Sequence, residues 1–100
     1  MVCAVTGAAQ ICAWVSNGAP AQNSTVTAYG RLLLGGTGQA SQPMIATWNY
    51  KTTSSTCEGL TDALGGANCS RKIGRVTLGY RVDVVVTING YSATTFFVPG

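Results

Sequence analysis

Apolar and polar positions alternate with a period of two along most of the chain, the pattern of strands with one buried face. The clearest stretch is Tyr80 to Ile88, where Tyr80, Val82, Val84, Val86 and Ile88 share one face and Arg81, Asp83, Val85 and Thr87 the other. Ile88-Asn89-Gly90-Tyr91 then predicts a two-residue type I′ hairpin, because both central positions of that turn need positive φ and Asn and Gly tolerate it best. Its partner strand runs from Tyr91 to Val98 and stops at Pro99. In Met44 to Lys51 the set Met44, Ala46, Trp48 and Tyr50 is predicted to face the core. In Ser24 to Leu34 the core set is Val26, Ala28, Gly30, Leu32 and Leu34, with Gly30 expected at a bend or bulge.

The remaining segments are shorter. Cys3 to Thr6 and Gln10 to Ser16 open the chain, followed by a loop at Asn17, Gly18, Ala19 and Pro20. Gly35 to Gln39 is expected as a flexible polar loop and Thr52 to Ser55 as another. Thr56 to Leu60 and Ala67 to Ile73 are predicted strands around the turn Thr61 to Gly66. About seven short strands separated by Gly, Pro, Asn and Ser, with no helical periodicity and no internal repeat, fit a β-sandwich better than a barrel or a propeller blade. Residues 1–100 are expected to form one domain.

Composition narrows the class. Of 100 residues 46% are apolar and 9% charged, far from the composition of disordered chains. So few charges leave Ser, Thr, Asn, Gln and Gly to make the polar surface, which lowers the electrostatic barrier to self-association. Met1 leads straight into Val2 and Cys3 with no signal peptide in view, so it is read as a processed start. No run approaches the length of a membrane span, and membrane insertion is not expected.

Four cysteines and no histidine argue against zinc, and the spacings of Cys3, Cys12, Cys57 and Cys69 lack paired C-x2-C knuckles. Disulfides are the better reading. Of three connectivities the local one, Cys3 with Cys12 and Cys57 with Cys69, best fits two hairpin-like segments, each loop contributing about 2–3 kcal/mol. Stable disulfides place the chain outside the cytosol, secreted or at a cell surface.

Catalytic chemistry is thinly provided for. Without histidine the candidate bases are Glu58, Asp62, Asp83, Lys51 and Lys72. Asp62 sits in a turn where an Asx side chain satisfies backbone N–H groups. Asp83 is expected to pair with an arginine across the sheet and Glu58 to be a solvated edge charge. No enzymatic activity, cofactor or metal is expected. Arg71, Lys72, Arg75 and Arg81 give a basic end to a chain of net charge +3. They are read as a solvated rim that keeps edge strands from pairing, with an acidic cell-wall polymer or nucleic acid as the weaker reading; the aromatic platform that nucleic acid would want is missing.

Among the aromatics, Trp48 is assigned to the core and Tyr80 resembles the tyrosine corner of sandwich folds. Adjacent Phe96 and Phe97 must point to opposite faces, so one leaves the core. An outward Phe, with Val85 and Leu33 also outward, suggests an apolar patch for a protein partner, a copy of the chain included. Trp14, Tyr29 and Tyr91 are the candidates for stacking sugar rings, and Phe96 joins them as a candidate binding residue. Asn23-Ser24-Thr25 and Asn68-Cys69-Ser70 match the short N-glycosylation pattern.

Three stretches carry a family likeness: Thr25-Val26-Thr27-Ala28-Tyr29-Gly30-Arg31-Leu32, Gln42-Pro43-Met44-Ile45-Ala46-Thr47-Trp48 and Thr61-Asp62-Ala63-Leu64-Gly65-Gly66-Ala67. Together with Gly79 to Val84 they resemble the bacterial immunoglobulin-like repeats of invasin and intimin. The resemblance spans roughly Ser24 to Val98. It implies an immunoglobulin-like antiparallel sandwich serving as a structural or adhesive module of an exported protein, one able to assemble with itself. Two cysteine pairs are not typical of those repeats, and Cys57 with Cys69 is not expected to be the inter-sheet bridge of antibody domains. A carbohydrate-binding module is the alternative function.

Overall fold

Nine strands form among residues 2–100, the residues that this computed structural model describes. They are β1 (Val2–Thr6), β2 (Ala9–Val15), β3 (Thr25–Leu34), β4 (Thr37–Gly38), β5 (Pro43–Asn49), β6 (Ser54–Leu60), β7 (Gly66–Lys72), β8 (Val82–Ile88) and β9 (Tyr91–Phe97). All pairings are antiparallel. One sheet has the order β1-β2-β3, with β7 and the two-residue β4 both on β3; the other has the order β6-β5-β8-β9. Met1 lies outside the described residues.

The alternation in sequence becomes the two faces of each sheet. Met44, Ala46, Trp48, Val82, Val84, Val86, Ile88 and Phe97 are buried on the inner face of the second sheet. Opposite them the first sheet presents mainly small residues, including Ala9, Ala13, Ala28, Gly30 and Ala67, with Ile11, Val26 and Leu32. Trp48 and Phe97 meet edge to face with centroids 5.8 Å apart, a favoured geometry for aromatic quadrupoles. The Asn89-Gly90 hairpin has φ of 49° and 83° at its two central residues, as a type I′ turn requires.

Several expectations change. Gly30 makes no bulge: it stays in register with Ala13 on one side and Ala67 on the other. Its missing side chain instead makes room for the facing sheet, since a Cβ there would lie 2.6 Å from Val86 Cγ1 and 3.0 Å from Met44 Sδ. Gly35 to Gln39 is an anchored turn rather than a free loop. Thr37 and Gly38 pair with Leu34 and Leu33, and the Gln39 N–H donates to the Leu32 carbonyl at 3.1 Å. Tyr80 precedes β8 and is exposed, because the strand begins only at Val82. Leu34 and Tyr50 are half-buried at the ends of their predicted core rows.

The cysteines pair as Cys3–Cys12 and Cys57–Cys69. Cys3 and Cys12 face each other across the β1–β2 hairpin. Cys57 and Cys69 do not close a hairpin: β6 belongs to the second sheet and β7 to the first, so this bridge joins the two sheets. The local pairing read from spacing holds, and its expected setting does not. The crossing between β6 and β7 is held by Asp62, whose Oδ1 accepts from the N–H of Leu64 at 2.9 Å and of Gly66 at 3.1 Å, the structural role expected of it. The indole N–H of Trp48 points at Cys57 Sγ, 3.3 Å away, which gives its lone donor a weak acceptor.

Two predictions follow from the packing and the bridges. Gly30→Ala should destabilise the protein by about 1–3 kcal/mol through overpacking, whereas Gly18→Ala, with open space around its Cβ, should stay within about 0.5 kcal/mol in the same denaturant titration. Graded reduction followed by thiol alkylation and mass measurement should open Cys3–Cys12 before Cys57–Cys69, because Cys3 is exposed while Cys69 is buried in the core. Simultaneous opening, or the reverse order, would contradict this arrangement.

Candidate functional site

Counting strands locates the end of the molecule where the site lies. The turn between β5 and β6, the crossing from β7 to β8 and the loop from β2 to β3 all emerge at the same end, since Lys72 pairs with Thr25 and Asn49 with both Ser54 and Asp83. There the β5–β6 turn and the β7–β8 crossing line a half-open cavity of about 290 Å³. Lys51, Arg71, Lys72 and Arg75 line it together with the hydroxyl residues Thr52, Thr53, Ser55 and Thr77, two tyrosines, Tyr50 and Tyr80, and no carboxylate.

The walls of this pocket are held by specific bonds. The Arg71 guanidinium donates from Nη1 to the Thr56 carbonyl at 2.8 Å, while its Nε is buried without a partner. Arg75 lies between two fixed residues. The Gly74 carbonyl accepts from the Asn23 N–H at 2.7 Å, and the Val76 carbonyl accepts from Gln22 Nε2 at 2.8 Å. Ile73 and Val76 are buried and anchor the same segment from below. Lys51 follows Tyr50, whose N–H donates to the Thr53 carbonyl at 2.9 Å and closes the β5–β6 turn.

Charge is concentrated here. Four of the six basic residues line the pocket, and the other two, Arg31 and Arg81, with the three acidic residues leave the rest of the chain at −1. The predicted basic end is thus divided. Arg71, Lys72 and Arg75 meet Lys51, while Arg81 pairs with Asp83 at 2.9 Å and lies over the Phe96 ring, 4.0 Å from its centroid. Arg81 and Asp83 are two apart along the chain, so the pair runs along the strand direction and not across the sheet as expected. Burial pushes the Tyr50 hydroxyl above the ordinary tyrosine pKa, and the nearby Arg71 charge draws it partway back.

The aromatic candidates are dispersed. Trp14 and Tyr29 face each other on the outer surface of the first sheet, centroids 5.4 Å apart and planes within 6°. Tyr91 lies on the inner face of β9, packed against the core, and Phe96 is 42% exposed on the outer surface of the second sheet. Val85 is half-buried on the same outer face as Phe96 and diagonal to it across β8 and β9, whereas Leu33 lies on the outer face of the other sheet, so the three do not form one patch. All four cysteines are in disulfides, and no cluster of three or more metal-ligating side chains occurs among the described residues. Lys51 and Tyr50 join the site only through the topology; their local sequence marks them as a stray base and a core aromatic.

No protein-family model, curated protein or solved structure matches this chain.

The environment of Tyr50 is open to direct measurement. In an alkaline titration followed by ultraviolet absorbance, the Tyr50 phenol should ionise above the ordinary tyrosine range, and Tyr50→Phe should remove that late phase. Arg71→Gln should delay it further. Because the folded-state pKa is raised, the associated stability is present below the ordinary tyrosine pKa and is lost as pH rises through the raised value. Uniform titration of all four phenols would contradict the burial of Tyr50.

Proposed function

We propose that this chain is an extracellular structural and adhesive module, an immunoglobulin-like sandwich of an exported protein that assembles with copies of itself. The observation carrying the proposal is the edge strand β1. It pairs with β2 through all five of its residues and, among the described residues, has no strand on its other side. Natural sheets usually blunt such an edge with charge, proline or a bulge. Val-Cys-Ala-Val-Thr has none of the three, the Cys3–Cys12 bridge holds it flat against β2, and Val5 is 70% exposed. A second copy that adds its own edge would satisfy the free backbone groups, by the β-augmentation used in many protein assemblies.

The immunoglobulin-like reading is supported by the sheet order, by the hairpins β5–β6 and β8–β9, and by the three crossings between sheets at β4–β5, β6–β7 and β7–β8. The likeness of its strand and turn motifs to invasin and intimin repeats points the same way. Two disulfides favour an oxidising compartment. The sugar-stacking alternative is less well served: of its candidates only Trp14 and Tyr29 are adjacent, and they spend ring surface on each other.

Light scattering and negative-stain imaging of the unreduced protein should give oligomers or filaments that grow with concentration. Val5→Lys, which places a charge on the open edge, should return the protein to monomer without loss of folded signal. A wild-type monomer at every concentration would overturn self-assembly.

A further inference from the structure

The fold makes no use of three of the four pocket cations. Lys51, Lys72 and Arg75 are exposed and form no salt bridge, and the one ion pair among the described residues, Arg81 with Asp83, lies outside the pocket lining. Gathering four positive charges around one cavity with no carboxylate costs stability through self-repulsion, so the arrangement works against the fold unless an anion enters. The geometry is also prepared in advance: Arg71 is held by the Thr56 carbonyl, and Arg75 is flanked by the anchored Gly74 and Val76. Prepositioned donors lose little freedom on binding.

We propose that the pocket bounded by Lys51, Arg71, Lys72 and Arg75 binds the phosphate or sulfate group of an anionic polysaccharide. A tetrahedral oxyanion matches what lines the cavity, since guanidinium and ammonium donors supply charge and the hydroxyls of Thr53, Ser55 and Thr77 can donate without adding any. At about 290 Å³ the space takes such a group with part of the sugar that carries it, but not a long stretch of chain. Nucleic acid fits less well. Successive bases would need a run of exposed ring faces beside the cations, whereas the lining offers one exposed ring, Tyr80, with Tyr50 half-buried and Trp14 and Tyr29 on the outer surface of the first sheet. The proposal names a partner for the adhesive role and rests on the extracellular reading only for the source of the anion.

The test compares four probes on the intact, oxidised protein by calorimetry: dextran sulfate, uncharged dextran, inorganic phosphate and a single-stranded oligonucleotide. Dextran sulfate should bind, and more weakly as salt is raised. Inorganic phosphate should compete with it, and uncharged dextran should not bind. The paired variant Lys72→Gln with Arg75→Gln should weaken dextran sulfate binding by about tenfold or more. Arg31→Gln with Arg81→Gln removes the same net charge from outside the pocket lining and should weaken it by less than about threefold, beyond which the effect would be one of overall charge. Equal losses in both pairs would overturn the site, as would oligonucleotide binding tighter than dextran sulfate, or failure of phosphate to compete. Because Val5 lies outside the pocket lining, the Val5→Lys monomer should retain binding, which keeps failure of this site distinct from failure of self-assembly.

Discussion

The structure depends on a mismatch in size between two facing sheets. Val84, Val86, Ile88, Met44 and Trp48 project from one side, and the other side accepts them because Ala13, Ala28, Gly30 and Ala67 leave the space. Native interiors are packed like organic crystals, so a large residue on one face demands a small one opposite. Gly30 marks a close approach of the two sheets, where even a methyl group would collide with Val86. This complementarity fixes which strands can lie over which, and the disulfide between Cys57 and Cys69 then ties β6 to β7 where the chain crosses from one sheet to the other. Trp48 joins the two devices, with its ring against Phe97 and its N–H toward the bridge sulfur.

Much of this was legible because strand periodicity is a local property. The core faces of β5 and β8 follow from alternation alone, as does the opposition of Phe96 and Phe97, and Asn89-Gly90 declares its turn through the conformations that those two residues permit. Asp62 was readable for the same reason, since an Asx turn is made within five residues. Local reasoning failed where the relevant neighbour lies on another sheet. Gly30 looks like a bulge signal in a strand until Val86 is placed above it. Cys57 and Cys69 look like a hairpin pair at a separation of twelve residues until the chain between them is seen to change sheets.

The pocket was illegible for a related reason. Lys51 and Arg75 are separated by two strands and a crossing, and they meet because β5 leads to one end of the molecule while β6 and β7 return the chain to it. Nothing in their local sequence marks them. The count of strands between two loops carries the signal, since an even number returns the chain to the same end. The same rule separates this cavity from the Asp62 turn, which lies at the opposite end with the Gly35-Gly36 and Asn89-Gly90 turns.

Stability and charge are handled by different parts of the molecule. The inner faces contain no ionisable side chain at full burial, and the paired cation, Arg81, sits on an outer surface with Asp83 and Phe96. Folding therefore places no demand on where Lys51, Lys72 and Arg75 lie, and such exposed basic residues could have been scattered at little cost. Concentrating them around a cavity walled by anchored backbone gives up that freedom and adds repulsion. The separation also leaves room for the two proposed surfaces side by side on a short chain. β1 offers uncharged backbone along one sheet edge, where a copy of the chain can pair without bringing like charges together. The pocket offers charge at an end where the backbone groups of Gly74, Val76 and Thr53 are already satisfied.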